Sequence, residues 1–231
     1  MRMPIGSTGR PAATRQVLAD HVYDELMVAL VDGRLEADEP LNIDALARSM
    51  EISQTPIREA LARLESTGLV VRAALKGYRV APLFSVEEVS ELMEARALLE
   101  PENAFRACAA GSEHLIADLA QSIDDLRNSP KDPATGTIKP YWEADERFHR
   151  LIAEGAENRF LLSAYTALGG HVQRFRLFGG LGVRDADHAI AEHATILEAF
   201  NAGDAVAARE QMAAHIEGVK RRAIADKTQL S

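Results

Sequence analysis

The stretch from Asn42 to Gly68 restricts the fold of this chain more than any other. It holds two short amphipathic segments separated only by Glu51, Ile52 and Ser53, a connection with room for a sharp turn between two helices. Asn42 is placed to cap the first helix, expected over residues 43–50. Ser53 can cap the second, and Pro56 falls in its first turn, where a missing N–H leaves no bond unmade. Ile57, Ala60, Leu61 and Leu64 recur at helical spacing and form one apolar stripe. Gly68 supplies a residue that can turn left-handed and stop the helix. Upstream, Val17, Leu18, Val22, Leu26, Ala29 and Leu30 give residues 15–31 the same period. Downstream come two β-like segments, 69–72 and 78–81, joined by a compact turn through Lys76 and Gly77. Three helices followed by a two-stranded ribbon is the order of a winged helix-turn-helix.

The pattern changes after Ala81–Ser85. Ala and Leu become common, β-branched runs vanish, and helices are expected over 86–110, 113–128, 139–154, 158–177, 187–202 and 204–224. Ser85, Asp187 and Asp204 stand as candidate caps. The fold class expected is therefore mainly α, an N-terminal winged helix-turn-helix followed by an antiparallel bundle of about six helices. The boundaries expected are an arm over 1–12, the winged domain over 13–82, the helical domain over 85–224 and a tail over 225–231. No run reaches the roughly eighteen apolar residues of a membrane span. The polar N-terminus does not read as a secretory signal, and the single cysteine, Cys108, excludes an internal disulfide. A cytoplasmic protein with no membrane partner is expected.

The net charge of −9 argues at first against a polyanionic partner, but the excess is uneven. Residues 1–82 carry ten Lys/Arg and eleven Asp/Glu, and nearly all the negative surplus lies beyond them. Between 58 and 79, Arg58, Arg63, Arg72, Lys76 and Arg79 face only Glu59 and Glu65; binding to phosphates depends on such local surface. The face of the third helix opposite its apolar stripe carries Gln54, Thr55, Arg58, Glu59, Ala62 and Arg63. Gln54 can address a base edge, and Arg58 or Arg63 a phosphate or guanine. The wing offers Lys76, Gly77, Tyr78 and Arg79. The segment Leu46-Ala47-Arg48-Ser49-Met50-Glu51-Ile52-Ser53-Gln54-Thr55-Pro56-Ile57-Arg58-Glu59-Ala60-Leu61-Ala62-Arg63-Leu64-Glu65 closely resembles the DNA-binding domain of the GntR family of bacterial regulators. The resemblance implies a set of operator contacts drawn from Arg48, Ser53, Gln54, Thr55, Arg58, Arg63, Lys76, Gly77 and Tyr78. Gln54 stands where the family usually has Arg.

Seven histidines are spread along the chain. Asp145 and His149 are an i,i+4 pair on one helical face, a spacing that lets a carboxylate and an imidazole share an ion. His193 precedes Gly203 by ten residues and His215 follows Asp204 by eleven. At ~1.5 Å per residue both sit about 15 Å from the turn of an antiparallel pair, so the rings can meet. Three imidazoles and a carboxylate suit zinc first, and also nickel, manganese or iron; a buried hydrogen-bond network is the other reading of the same residues. His21, His114 and His188 read as exposed or terminal.

Residues 85–224 resemble the FCD domain of the FadR subfamily, through Asp145-Glu146-Arg147-Phe148-His149, Glu192-His193 and His215-Ile216. The resemblance implies that Asp145, His149, His193 and His215 ligate a divalent metal and that a small carboxylate effector binds there. It makes Arg96 and Glu100 candidate effector residues, although the two also read as a plain i,i+4 pair. His171 and Arg174, with Arg176, are candidates from the fourth helix of this domain. The expected protein is not an enzyme. It is a homodimeric regulator, a repressor, whose recognition helices must stand ~34 Å apart to read a palindrome. A sensor for the metal itself and a metal-dependent enzyme are the alternatives.

Overall fold

The computed structural model describes residues 12–31, 33–73, 77–131, 137–178 and 185–229. The N-terminal unit is built from α1 (Ala12–Val31), β1 (Pro40–Leu41), α2 (Ile43–Ser49), α3 (Gln54–Ser66), β2 (Val70–Ala73) and β3 (Gly77–Val80). Asn42 caps α2 by accepting from the Ala45 amide. Ser53 occupies the N-cap position of α3 in extended backbone but makes no side-chain cap bond, so that expectation is corrected. Gly68 follows α3 with φ of 73°. Ile57, Ala60, Leu61 and Leu64 pack against Val22, Leu26 and Leu30 of α1 and against Leu69 and Val80. The sheet has three strands, not two, in the order β1-β3-β2, all antiparallel. β1 escapes a period-based reading because it is two residues long, and its proline is tolerated because the strand lies at an edge.

The helical unit comprises α4 (Val86–Ala110), α5 (Glu113–Asn128), α6 (Lys139–Gly155), α7 (Arg159–Phe178), α8 (Ala186–Ala202) and α9 (Ala205–Gln229). Ser85 opens α4 with a reciprocal capping box to Glu88. Asp204 accepts from the Ala207 amide at the start of α9. Asp187 does not cap α8. It lies in the first turn, and Asp185 stands at the N-cap position without a side-chain cap bond. α9 runs on through residues assigned to the tail, because Asp226, Lys227, Thr228 and Gln229 include no breaker. The core of this unit includes Leu119, Ile123, Phe148, Ile152, Ile196, Phe200, Met212 and Ile216. Among the described residues, no helix is long and apolar enough to cross a membrane.

The two units meet along α7. Arg174 donates from Nε and Nη2 to the Pro82 carbonyl at 3.0 and 2.7 Å and covers the Phe84 ring at 3.8 Å. Lys139 reaches Asp24 of α1 at 3.7 Å. A Cβ at Gly170 would lie 2.1 Å from the Thr67 carbonyl oxygen, so α7 and the end of α3 are in backbone contact. Beside this joint runs a cleft of about 930 Å³ walled by Met27, Val31 and Thr67 on one side and Trp142, Arg147 and Tyr165 on the other.

Candidate functional site

The helical periods that build the core also carry polar residues into it. On α6 the buried stripe reads Tyr141, Ala144, Asp145, Phe148, His149 and Ile152. On α8 it is Ala189, His193, Ile196, Ala199 and Phe200, and on α9 His215 lies between Met212 and Ile216 of the core and is itself buried. The turn at Gly203 (φ of 66°) folds α8 back on α9. The three imidazoles thus converge, with ring centroids 4.8 Å apart for His193 and His215, 5.1 Å for His149 and His193, and 5.2 Å for His149 and His215. Their candidate ligand nitrogens all lie within 4.8 Å of one another. Asp145 Oδ1 is 3.7 Å from His193 Nε2, and Phe148 stacks on the His193 ring at 4.1 Å.

This cluster has the geometry and donor chemistry to hold a metal ion. Buried polar atoms normally find a partner, yet His149 Nε2 is buried and has no hydrogen-bond partner. Three neutral nitrogens and one carboxylate are a donor set for borderline divalent cations. A cavity of about 50 Å³ adjoins them, lined by Arg96, Tyr141, Trp142, Phe175 and Val219 among others.

Charges behind the rings decide which nitrogens are available. Burial would raise the Glu100 carboxyl, but the Arg96 guanidinium and the His149 ring outweigh it and hold it well below the usual carboxylate range. Arg96 Nε meets Glu100 Oε1 at 2.5 Å, and Glu100 Oε2 lies 2.7 Å from His149 Nδ1; that last contact is close without being a linear hydrogen bond. Burial likewise opposes ionisation of Glu192, and hydrogen bonds from His215 and Arg222 bring it down to about 2. His215 is pushed below its ordinary value, first by burial and, against the pull of Glu192, by His149 and Arg96.

Two of the candidate effector residues lie elsewhere. Arg174 spends its guanidinium on Pro82, and His171 is exposed beside Gly68 at the joint between the units. Both are turned to the winged unit and the chain that leaves it, whereas Phe175 of the same helix lines the cavity. The Arg176 side chain lies outside the described residues. Sequence reasoning missed Glu192 and Arg222 as partners of the centre. The available signal was that Arg222 follows His215 by seven residues, two turns along one helical face.

In the winged unit, Gln54, Thr55 and Arg58 are exposed on α3 and Arg48 is exposed on α2. Gln54 is not idle: its amide donates to Asp44 of α2, and Arg58 Nη2 donates to Gln54 Oε1 at 3.1 Å. Arg63 departs from expectation. Its guanidinium turns back to α1, 2.5 Å from Asp20 and 4.2 Å from the Tyr23 ring centroid. Gly77 opens β3 at φ of 80°, and half-buried Tyr78 lies under Arg72 at 5.9 Å. Lys76 lies outside the described residues.

Residues 18–80 match the model of the bacterial regulatory proteins, gntR family, and residues 91–218, more than half of the chain, match the FCD domain. The chain is a GntR-family regulator with an FCD domain. It is 28% identical over 203 residues to the probable D-xylose utilization operon transcriptional repressor of Paenarthrobacter nicotinovorans, covering 88% of this chain and 87% of that one. In fold the regulator is similar to a GntR protein of Rhodococcus sp. RHA1, with a TM-score of 0.70 at 18% identity over 93% and 99% of the two chains. It is also similar to the metal-free FCD domain of TM0439, with a TM-score of 0.50 at 20% identity, covering 63% of this chain and 98% of that one. These families are transcription regulators that bind DNA, not enzymes.

Proposed function

We propose that this regulator is a cytoplasmic, homodimeric repressor whose hold on operator DNA is set by a small organic acid bound at a divalent metal, zinc in the first place, in the FCD domain. The observation that carries the reading is the buried convergence of Asp145, His149, His193 and His215 in the same chain as a DNA-reading helix. One helix touches both places: Phe175 of α7 lines the cavity beside the histidines, and Gly170 of α7 backs onto the end of α3. Arg96 lines the same cavity and is the basic group placed to meet an acid there. An effector that fits one arrangement of α7 better than another shifts operator affinity by that difference and no more. Arg48, Ser53, Gln54, Thr55, Arg58, Gly77, Tyr78 and Lys76 form the proposed DNA face, with Arg58 the leading phosphate or base contact. Arg63 is retained with a smaller share, since it is tied to α1.

A second reading has one observation in its favour. A cavity of about 50 Å³ has the scale of an ion with a water or two, which suits a sensor of the metal itself. Thermal melting with and without chelator, against a panel of small carboxylates, separates the two. Stabilisation by an acid only when metal is present supports the acid-controlled repressor. Stabilisation by metal alone, with operator affinity tracking occupancy and no acid adding to it, supports the sensor. If neither metal, chelator nor acid moves the melting temperature, both readings fail.

A further inference from the structure

Two of the three imidazoles have an arginine-held carboxylate behind them, His215 through a hydrogen bond and His149 through a close contact. His215 Nδ1 lies 2.7 Å from Glu192 Oε2. Arg222 grips both oxygens of Glu192, Nη1 on Oε1 at 2.7 Å and Nη2 on Oε2 at 2.9 Å, while its Nε meets Asp185 Oδ1 at 2.6 Å. On the other side of the centre, His149 Nδ1 lies 2.7 Å from Glu100 Oε2, and Arg96 reaches the two oxygens of Glu100 at 2.5 and 3.3 Å. The carboxylates stand on α4 and α8, and the histidines they serve on α6 and α9. Helical spacing within one element therefore does not produce either contact.

We infer that Glu192 with Arg222, and Glu100 with Arg96, are positioning residues of the metal centre: each ionised carboxylate favours the tautomer that keeps the proton on Nδ1 of its histidine and so leaves the lone pair of Nε2 for a divalent cation. The inference rests on the metal reading proposed above and assigns Glu100 to a ligand-holding role in place of effector contact.

The chemistry follows from what each group can do. An ionised carboxylate only accepts, and a guanidinium only donates. With Arg closed on it in a bidentate grip, the carboxylate stays ionised and its remaining lone pairs must be met by a donor. The imidazole then carries its proton on Nδ1, and a neutral ring has its one lone pair on Nε2. Such an outer carboxylate also raises the basicity of the ligand nitrogen. A purely structural role explains the arrangement poorly. Arg96 and Glu100 are each only 4% exposed, and a buried ion pair generally contributes no more to stability than apolar side chains of the same volume. His193 is held in another way, by the Phe148 ring stacked on it at 4.1 Å.

The test uses the full chain with the isosteric changes Glu192→Gln and Glu100→Gln. Zinc affinity is measured by competition with a chromogenic chelator, the ligand field by the visible spectrum of the Co²⁺-loaded protein, and the proton position by long-range ¹H–¹⁵N NMR of the metal-free protein. In the unsubstituted protein, His149 and His215 are expected to carry the proton on Nδ1. Each variant is expected to lose about 10–100-fold in zinc affinity, to shift the cobalt bands, and to lose the single tautomer of its own histidine and not of the other. Far-UV circular dichroism should remain unchanged. The NMR measurement on the unsubstituted chain needs no variant to fold: finding His215 and His149 with the proton on Nε2 overturns the inference. So do Gln variants with undiminished zinc affinity and unmoved cobalt bands. If the unsubstituted chain binds no zinc, the metal reading falls and takes this one with it, an outcome distinct from the other two.

Discussion

Replacing Gly170 by alanine puts a methyl group where α7 meets the end of the recognition helix. The new Cβ would lie 2.1 Å from the Thr67 oxygen, 2.6 Å from its carbonyl carbon and 2.8 Å from its Cα. Non-bonded heavy atoms settle near 3.5 Å, so the joint must open by roughly 1 Å or more, and every atom in the way is backbone. α7 itself does not suffer, because alanine in a helix interior is favoured over glycine by about 1 kcal/mol. Overpacking of this kind costs about 1–3 kcal/mol, which leaves a net loss between zero and about 2 kcal/mol, concentrated at the joint. The consequence for regulation is larger than the consequence for stability. If the FCD domain acts on α3 through this contact, the substitution weakens the coupling, which in regulators of this kind amounts to about 1–3 kcal/mol, or 5- to 150-fold in affinity. The assay is fluorescence anisotropy on a labelled operator duplex selected from a random pool, with zinc and with chelator. Gly170→Ala is expected to bind zinc normally, to keep most of its operator affinity in one state, and to compress the ratio between the two states toward one. An unchanged ratio together with a melting temperature raised by the helix gain alone would refute both the clash and the relay.

Other consequences can be measured separately. Arg58→Ala should weaken operator binding and lower the salt slope by about one. Arg63→Ala, whose partners are Asp20 and Tyr23, should change that slope less and cost ~1 kcal/mol or less in stability, since the pair is exposed; equal slopes for the two variants would contradict the geometry. Phe148→Ala removes a fully buried ring stacked on His193 and should lower unfolding free energy by about 3–5 kcal/mol in urea titration. The metal-free protein should lose stability as pH falls. His215 is depressed, so its contribution is complete above 6.5 and declines as pH falls below that value. Glu192 is depressed to about 2, so its contribution is complete above its ordinary value of 4.5 and is lost between there and about 2. Urea midpoints that stay level or rise between pH 6.5 and 5 would contradict this sign.

Residue patterns disclosed most of the architecture because local rules agree with the global fold here. The period of Ile57, Ala60, Leu61 and Leu64 places α3, Ser85 and Glu88 box the start of α4, and Gly203 turns α8 into α9. The meeting of His193 and His215 followed from counting residues on both sides of one turn. What stayed hidden depends on contacts between elements far apart in sequence. β1 is too short to show a period. Arg63 reads as a DNA contact in the sequence, and its tie to Asp20 shows only once α1 lies beside α3. Glu192 and Arg222 look like ordinary helix-surface residues until α8 and α9 are set side by side. Gly170 carries no sign in the sequence of a backbone contact, because only the fold brings Thr67 against it. Arg174 turns to Pro82 while its neighbour Phe175 lines the cavity, because adjacent helical positions point about 100° apart.

The grip of Arg174 on the Pro82 carbonyl changes the character of the chain between the two units. A linker free in solution would let each reading head wander, and DNA would have to select one orientation from many, with the ordering entropy charged against affinity. Here the peptide after the wing is held by two hydrogen bonds and an aromatic contact. The heading of the recognition helix is settled when the chain folds, before any operator is met. Lengthening that linker would therefore loosen recognition even if every base contact were kept.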